Sequence, residues 1–171
     1  MLAISAPMPL SAQPTELLKP LMAVSSLVIF ILIMGVVLMH RLSDWESRLS
    51  DYISSMRDVP FEYGTNDCCT FSFGAVEAVT GEDKMAEFRG QYDSMMGSYR
   101  ALKNIGAGDL ESTMDAKFSQ VLVGLAQRGD IAFFDDSIGV VMGSFAWFIS
   151  DDGLERVPRS MWEKCWSVGR G

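Results

Sequence analysis

Cys68 is the residue of this chain best placed for covalent chemistry. It lies in the run Pro60-Phe61-Glu62-Tyr63-Gly64-Thr65-Asn66-Asp67-Cys68-Cys69-Thr70-Phe71, which reads as a short extended segment, a glycine turn and the start of a helix. Asp is a favoured N-cap because its carboxylate accepts from backbone N–H groups in the first turn. With Asp67 as the cap, Cys68 occupies that turn, where unpaired N–H groups and the helix dipole favour a thiolate. Cys68 is therefore the candidate nucleophile and Asp67 the candidate helix cap. A free thiol with a pKa of about 8.5 is only a few per cent ionised at neutral pH. A working site also needs a base, and an acid to protonate an amine leaving group.

The rest of the chain supplies neither in an obvious place. The single histidine, His40, ends an apolar run and would have to leave it to reach Cys68. Cys69 reads as core packing or helix surface. With Cys165 there are three cysteines, too few for a disulfide framework, and no CxxC or Cys-His pair suggests zinc. A bridge from Cys165 to Cys68 or Cys69 stays open; free thiols are the default and suit a reducing interior. The acidic turns Asp135-Asp136 and Asp151-Asp152 read as solvated loops, and their spacing is not that of an EF-hand. No cofactor and no metal is expected. Asp130 reads as a turn residue, and Arg89 and Asp109 as a structural pair.

Several elements must hold Cys68 in place. Trp45, Leu49, Tyr52, Ile53 and Met56 recur at helical spacing after Asp44, so an amphipathic helix is expected over 44–56. A buried helix follows from Cys68 to Thr80, closed by Gly81. Helices are also expected over 94–104 and 109–118. The period then changes. Ile131–Phe134 reads as a buried strand, 138–142 and 145–149 as a hairpin across Gly143-Ser144, and Leu154–Val157 as a further strand. The segment 162–168 has no clear type. The aromatic group Phe133, Phe134, Phe145, Trp147 and Phe148 is expected in the core. Helices first and an antiparallel sheet afterwards make an α+β pattern.

Composition bounds the partners. Glu16 and Lys19 are the only charged residues before Arg41, so the net charge of −8 belongs to the part from Arg41 onward. That charge repels phosphate backbones, and no nucleic-acid partner is expected. Residues 1–20 read as a flexible leader. Leu21 to Met39 carries no charge and nearly matches a bilayer core of about 30 Å at roughly 1.5 Å per residue. A membrane-competent helix is expected there, or a helix buried among neighbouring chains. Lys19 and Arg41 bracket it evenly, which leaves its orientation open. Met39 stands as a candidate second initiation site before an α+β domain over 41–171.

In order and spacing, Phe61-x-Tyr63-Gly64, Asp67-Cys68 and Gly129-Asp130-Ile131-x-Phe133-Phe134 resemble the signature of NlpC-type cell-wall cysteine peptidases. From about Arg41 to Val168 the chain is also similar to a group of small tailed-phage and prophage proteins related to those peptidases. There the shared features are Arg41-Leu42-x-Asp44-Trp45, Phe88-Arg89-Gly90-x-Tyr92 and Gly106-x-Gly108-Asp109-Leu110. The resemblance implies a papain-like fold in which the strand after Gly-Asp begins with the catalytic His. Here that strand begins Ser137-Ile138-Gly139-Val140, so Ser137 or Ile138 stands at the His position. Ser150 is the only polar residue near the position that would orient an imidazole.

The resemblance thus implies a catalytically degenerate domain serving as a structural or adaptor component of a phage tail tip or baseplate. Its location would be the virion and its partners other tail proteins, with the apolar helix buried in the tail hub or inserted in the host membrane during genome delivery. The alternative is a peptidoglycan-cleaving cysteine peptidase or amidase with Cys68 as nucleophile. A membrane-anchored protein of the bacterial envelope is a third reading.

Overall fold

The structure is a computed structural model, and it describes residues 40–169. The chain divides into two units, Met1–Val37 and Leu38–Gly171; every described residue belongs to the second. Among the described residues four helices come first: α1 Trp45–Met56, α2 Cys68–Thr80, α3 Met95–Asn104 and α4 Leu110–Lys117. Six strands follow: β1 Ser119–Val121, β2 Ile131–Phe134, β3 Ser137–Val141, β4 Phe145–Ser150, β5 Gly153–Pro158 and β6 Lys164–Ser167. All pairings are antiparallel, in the order β1-β6-β2-β3-β4-β5. The last strand therefore inserts between β1 and β2.

α2 is apolar on nearly every side, with Phe71, Phe73, Ala75, Val76 and Val79 all buried. A helix of that composition is stable only when covered all round, and α2 packs between α1 and strands β3 and β4. α1 contributes Leu49 and Ile53 to the contact, as its spacing predicts. Asp44 does not cap α1 through its side chain; its carboxylate lies 4.0 Å from Arg48 at the surface instead.

Side-chain alternation along the strands splits the core in two. Ile131, Phe133, Ile138, Val140, Ile149 and Trp166 join the helices in the larger cluster. Ala132, Val141, Ala146, Phe148, Val157 and Cys165 form a second cluster with Trp162. Gly139 makes the second cluster possible at β3, because a Cβ there would stand 2.5 Å from the Phe148 ring. Phe145 and Trp147 are half-buried, with Arg156 stacked 3.8 Å from the Phe145 centroid, so that end of the expected aromatic core is an edge facing solvent.

The α+β expectation matches this architecture, and the rest of the fold expectation is corrected. The sheet is a six-stranded one that gains β1 and β6, neither of which is expected from sequence. The first hairpin strand starts at Ser137 rather than at residue 138. Among the described residues no helix is long and apolar enough to cross a membrane. The leader over 1–20 and the transmembrane-like helix expected over 21–39 lie outside those residues. Apolar length alone says what a bilayer would accept, not that a helix forms.

Candidate functional site around Cys68

The turn before α2 is held at several points. Glu62 and Asn66 form a backbone bridge, with N–H···O distances of 3.1 and 2.7 Å, and the Asn66 amide donates to the carbonyls of Val59 and Pro60 at 3.0 Å each. Gly64 turns the chain at φ 75°, pressed so close to the Tyr92 carbonyl that a Cβ would lie 2.1 Å from its oxygen. These ties deliver Asp67 to the head of α2.

Asp67 is buried and fully engaged. One oxygen accepts from the Thr70 N–H at 2.8 Å, and the other accepts from the Gly64 N–H at 2.8 Å. The Asp67 N–H in turn donates to the Thr70 hydroxyl at 2.7 Å, which completes a capping box. Asp67 thus fixes the start of the helix and joins it to the turn. Its lone pairs serve structure.

Cys68 is half-buried and free, and its sulfur lies 4.0 Å from that of Cys69. Its thiol is held below the ordinary value, chiefly by a hydrogen bond with Cys69, against burial and the Asp67 charge. The Ser137 hydroxyl and the Ile138 N–H also stabilise the thiolate. Cys69 is pushed well above its ordinary value by the same hydrogen bond, by burial and by the Cys68 charge. The first proton lost therefore belongs to the pair, and the charge settles on Cys68.

Ser137 opens β3 directly after the Asp135-Asp136 turn. Both aspartates have φ above 50°, as a type I′ hairpin turn requires. That turn brings Ser137 to the cysteine, at the position where the sequence resemblance expects a histidine. Ser150, the other polar candidate, donates to Glu155 at 2.7 Å and accepts from the Asp152 N–H at 3.2 Å.

His40 is exposed beside Arg41. Arg41 is anchored at the far end of the same hairpin, where Val141 N–H donates to the Asp130 carbonyl. Ser137 and Val141 are four residues apart on β3, about 13 Å at roughly 3.3 Å per residue. His40 therefore does not line the space around Cys68.

That space is a cleft of about 330 Å³, at the lower end of small-ligand sites. Phe61, Tyr63, Tyr92 and Tyr99 supply aromatic walls, and Asp135, Asp136 and Ser137 supply polar ones. Burial pushes the Tyr92 phenol far above its ordinary value. Sequence reasoning places Cys68 and Ser137 together but misses the α3 side of the cleft, where Met95, Ser98 and Tyr99 face inward. An exposed Met-Met-x-x-Tyr face on a helix with only Ala101 buried is the signal that would have found it. The expected pairing of Arg89 with Asp109 is not made. Arg89 bonds Asp83 at 2.6 Å and Glu77 at 3.4 Å, while Asp109 caps α4 through the Ser112 N–H at 2.7 Å. Among the described residues no group of three His, Cys, Asp or Glu is placed to hold a metal ion.

A family model described as Domain of unknown function (DUF6950) matches residues 40–168, the interval that contains all four helices and all six strands. No curated protein matches the chain.

Proposed function

The chain belongs to the DUF6950 family, and within it we propose a structural or adaptor role: a degenerate NlpC-like domain that holds a tail tip or baseplate together in a tailed-phage virion. One observation carries the reading. Ser137 lines the same cleft as Cys68, where a cysteine hydrolase needs an imidazole, and no histidine is among the described residues lining that cleft. A serine hydroxyl neither accepts the thiol proton nor returns one to a leaving amine at neutral pH. General acid–base catalysis contributes roughly 10²–10⁴-fold, so its loss leaves a cleft suited to holding a partner. Met95, Met96 and Tyr99 add exposed apolar surface on α3 beside it, as an adaptor contact would need.

The test has two arms. Purified full chain incubated with peptidoglycan sacculi releases no soluble fragments, and Cys68→Ala behaves identically. Mass spectrometry and antibody labelling of purified particles find the chain at the tail tip. Release of fragments by the intact chain alone overturns the adaptor role, and absence from particles overturns the location.

The second reading is a cysteine peptidase or amidase acting on peptidoglycan stem peptides. The observation in its favour is the lowered Cys68 thiol opening onto a ligand-sized cleft. It requires that sacculi be digested and that Cys68→Ala abolish the digestion.

A further inference from the structure

Cys68 and Cys69 are consecutive residues of a helix, and such neighbours do not normally face each other. Here their sulfurs approach to 4.0 Å, with both thiols free. Oxidation does not suit this pair. Consecutive Cα atoms are about 3.8 Å apart, below the roughly 4.4–6.8 Å usual for a disulfide. A bridging ion, by contrast, needs the sulfurs well separated. Two metal–sulfur bonds of about 2.3 Å to sulfurs 4.0 Å apart enclose an angle of roughly 120°. The pair already has the bite of a trigonal chelate.

We propose that Cys68 and Cys69 form a bidentate dithiol site for a soft, low-coordinate cation of the monovalent-copper class, with the third position filled from within the cleft. The choice of a soft cation follows from the donors. Met85, Met95 and Met114 line the same cleft as the two cysteines, and thiolate with thioether selects monovalent copper over harder ions. Zinc, which takes four ligands in structural sites, does not find them here. The Asp67 carboxylate is occupied by Thr70 and Gly64, and the described residues hold no cluster of three His, Cys, Asp or Glu. On binding, each thiol loses its proton to solvent and two sulfur–metal bonds form; the metal keeps its oxidation state. This inference rests on the sulfur pair and needs neither reading of the cleft's function.

The test uses the full chain, reduced and kept free of oxygen, titrated with monovalent copper against the colorimetric chelator bicinchoninate. The intact chain withdraws one equivalent. Cys68→Ser and Cys69→Ser each lose more than about 100-fold in affinity, beyond the roughly 10–100-fold typical of an outer-shell partner. Cys165→Ala, altered in the separate cluster on the other sheet face, binds as the intact chain does. X-ray absorption of the loaded intact chain shows at least two sulfur neighbours, a readout that holds even where a serine variant folds poorly. Failure of the intact chain to compete overturns the site, as does undiminished binding by folded Cys69→Ser or a metal with a single sulfur neighbour. The sacculus assay, run with chelator present, is unaffected by either result.

Discussion

The two ends of the β2–β3 hairpin show what separates a structural motif from a reactive one. At the Asp130 end every connection is closed. Asp130 is fully buried; one oxygen takes the Arg41 guanidinium at 2.9 Å and the Val168 N–H at 3.0 Å, and the other takes the Gln127 N–H at 2.8 Å. Arg41 also donates to the carbonyls of Val168, Gly169 and Arg128. One ion pair thus ties the start of the domain, the head of β2 and its last residues together. At the Ser137 end the same hairpin opens on a cleft, which Asp135, Asp136 and Ser137 line together with Cys68. The Gly-Asp pair that the sequence resemblance shares with peptidases is a clamp. Any chemistry lies at the other end of the hairpin.

The largest expected effect breaks the clamp. Asp130→Ala leaves the Arg41 charge without its carboxylate beneath surrounding protein, and removing one partner of a buried pair costs about 3–5 kcal/mol. Urea denaturation should show a midpoint lowered by a large fraction of the domain's stability, given typical totals of about 5–15 kcal/mol. A loss below about 1 kcal/mol would mean that the clamp is no stronger than a surface pair.

At the cysteine end the matching change is Asp67→Ala. Losing an N-cap costs about 0.5–2 kcal/mol, and the tie to Gly64 goes with it. The effect on Cys68 has the opposite sign. The Asp67 charge raises that thiol's pKa, so its removal should move the pH profile of Cys68 alkylation downward while the melting temperature falls. Stability and thiol acidity are thus set against each other at one carboxylate.

What the sequence made legible follows the range of each signal. The helix from Cys68 to Thr80 is marked at both ends by local chemistry, an Asp cap and a Gly at φ 77°, so its limits need no tertiary knowledge. Ser137 is singled out, together with Ile138, only by the resemblance; the strand pattern alone starts one residue too late. β1 is invisible, since it has three residues and two of them are exposed. β6 is ambiguous because Trp162 and Trp166, four apart, fit a helix as readily as a strand. Trp162 precedes the strand and joins the second cluster, Trp166 lies on the strand in the first, and Cys165 and Trp166 fall on opposite faces. The pairing of Arg89 with Asp109 fails for a plain reason. Opposite charge says nothing about distance, and Asp83 lies nearer along the chain. The Cys69 partnership escapes sequence reasoning because neighbouring helix residues ordinarily diverge.

Ser137→His sharpens the comparison by giving the open end the one group it lacks. An imidazole with an unperturbed pKa of about 6.5, beside the sulfur, would pair with it as imidazolium and thiolate and lower the thiol's pKa. Iodoacetamide labelling of Cys68 near pH 7 should rise several-fold, and the profile should gain a limb in the histidine range. If the rate is unchanged, Ser137 does not stand at the base position.

The smallest effect concerns the two thiols alone. Cys69 supplies the largest influence that lowers the Cys68 pKa. Cys69→Ala should therefore shift Cys68 alkylation to higher pH, as read by mass spectrometry of the labelled peptide. Cys165 gives the internal reference, since burial raises its thiol to about 11 and keeps it unlabelled in the folded chain under conditions where Cys68 reacts. If Cys69→Ala leaves the Cys68 profile in place while Cys165 stays protected, the hydrogen bond between the sulfurs is not what sets their acidity. The helix terminus, with Ser137 and Ile138, then accounts for the whole of the lowering.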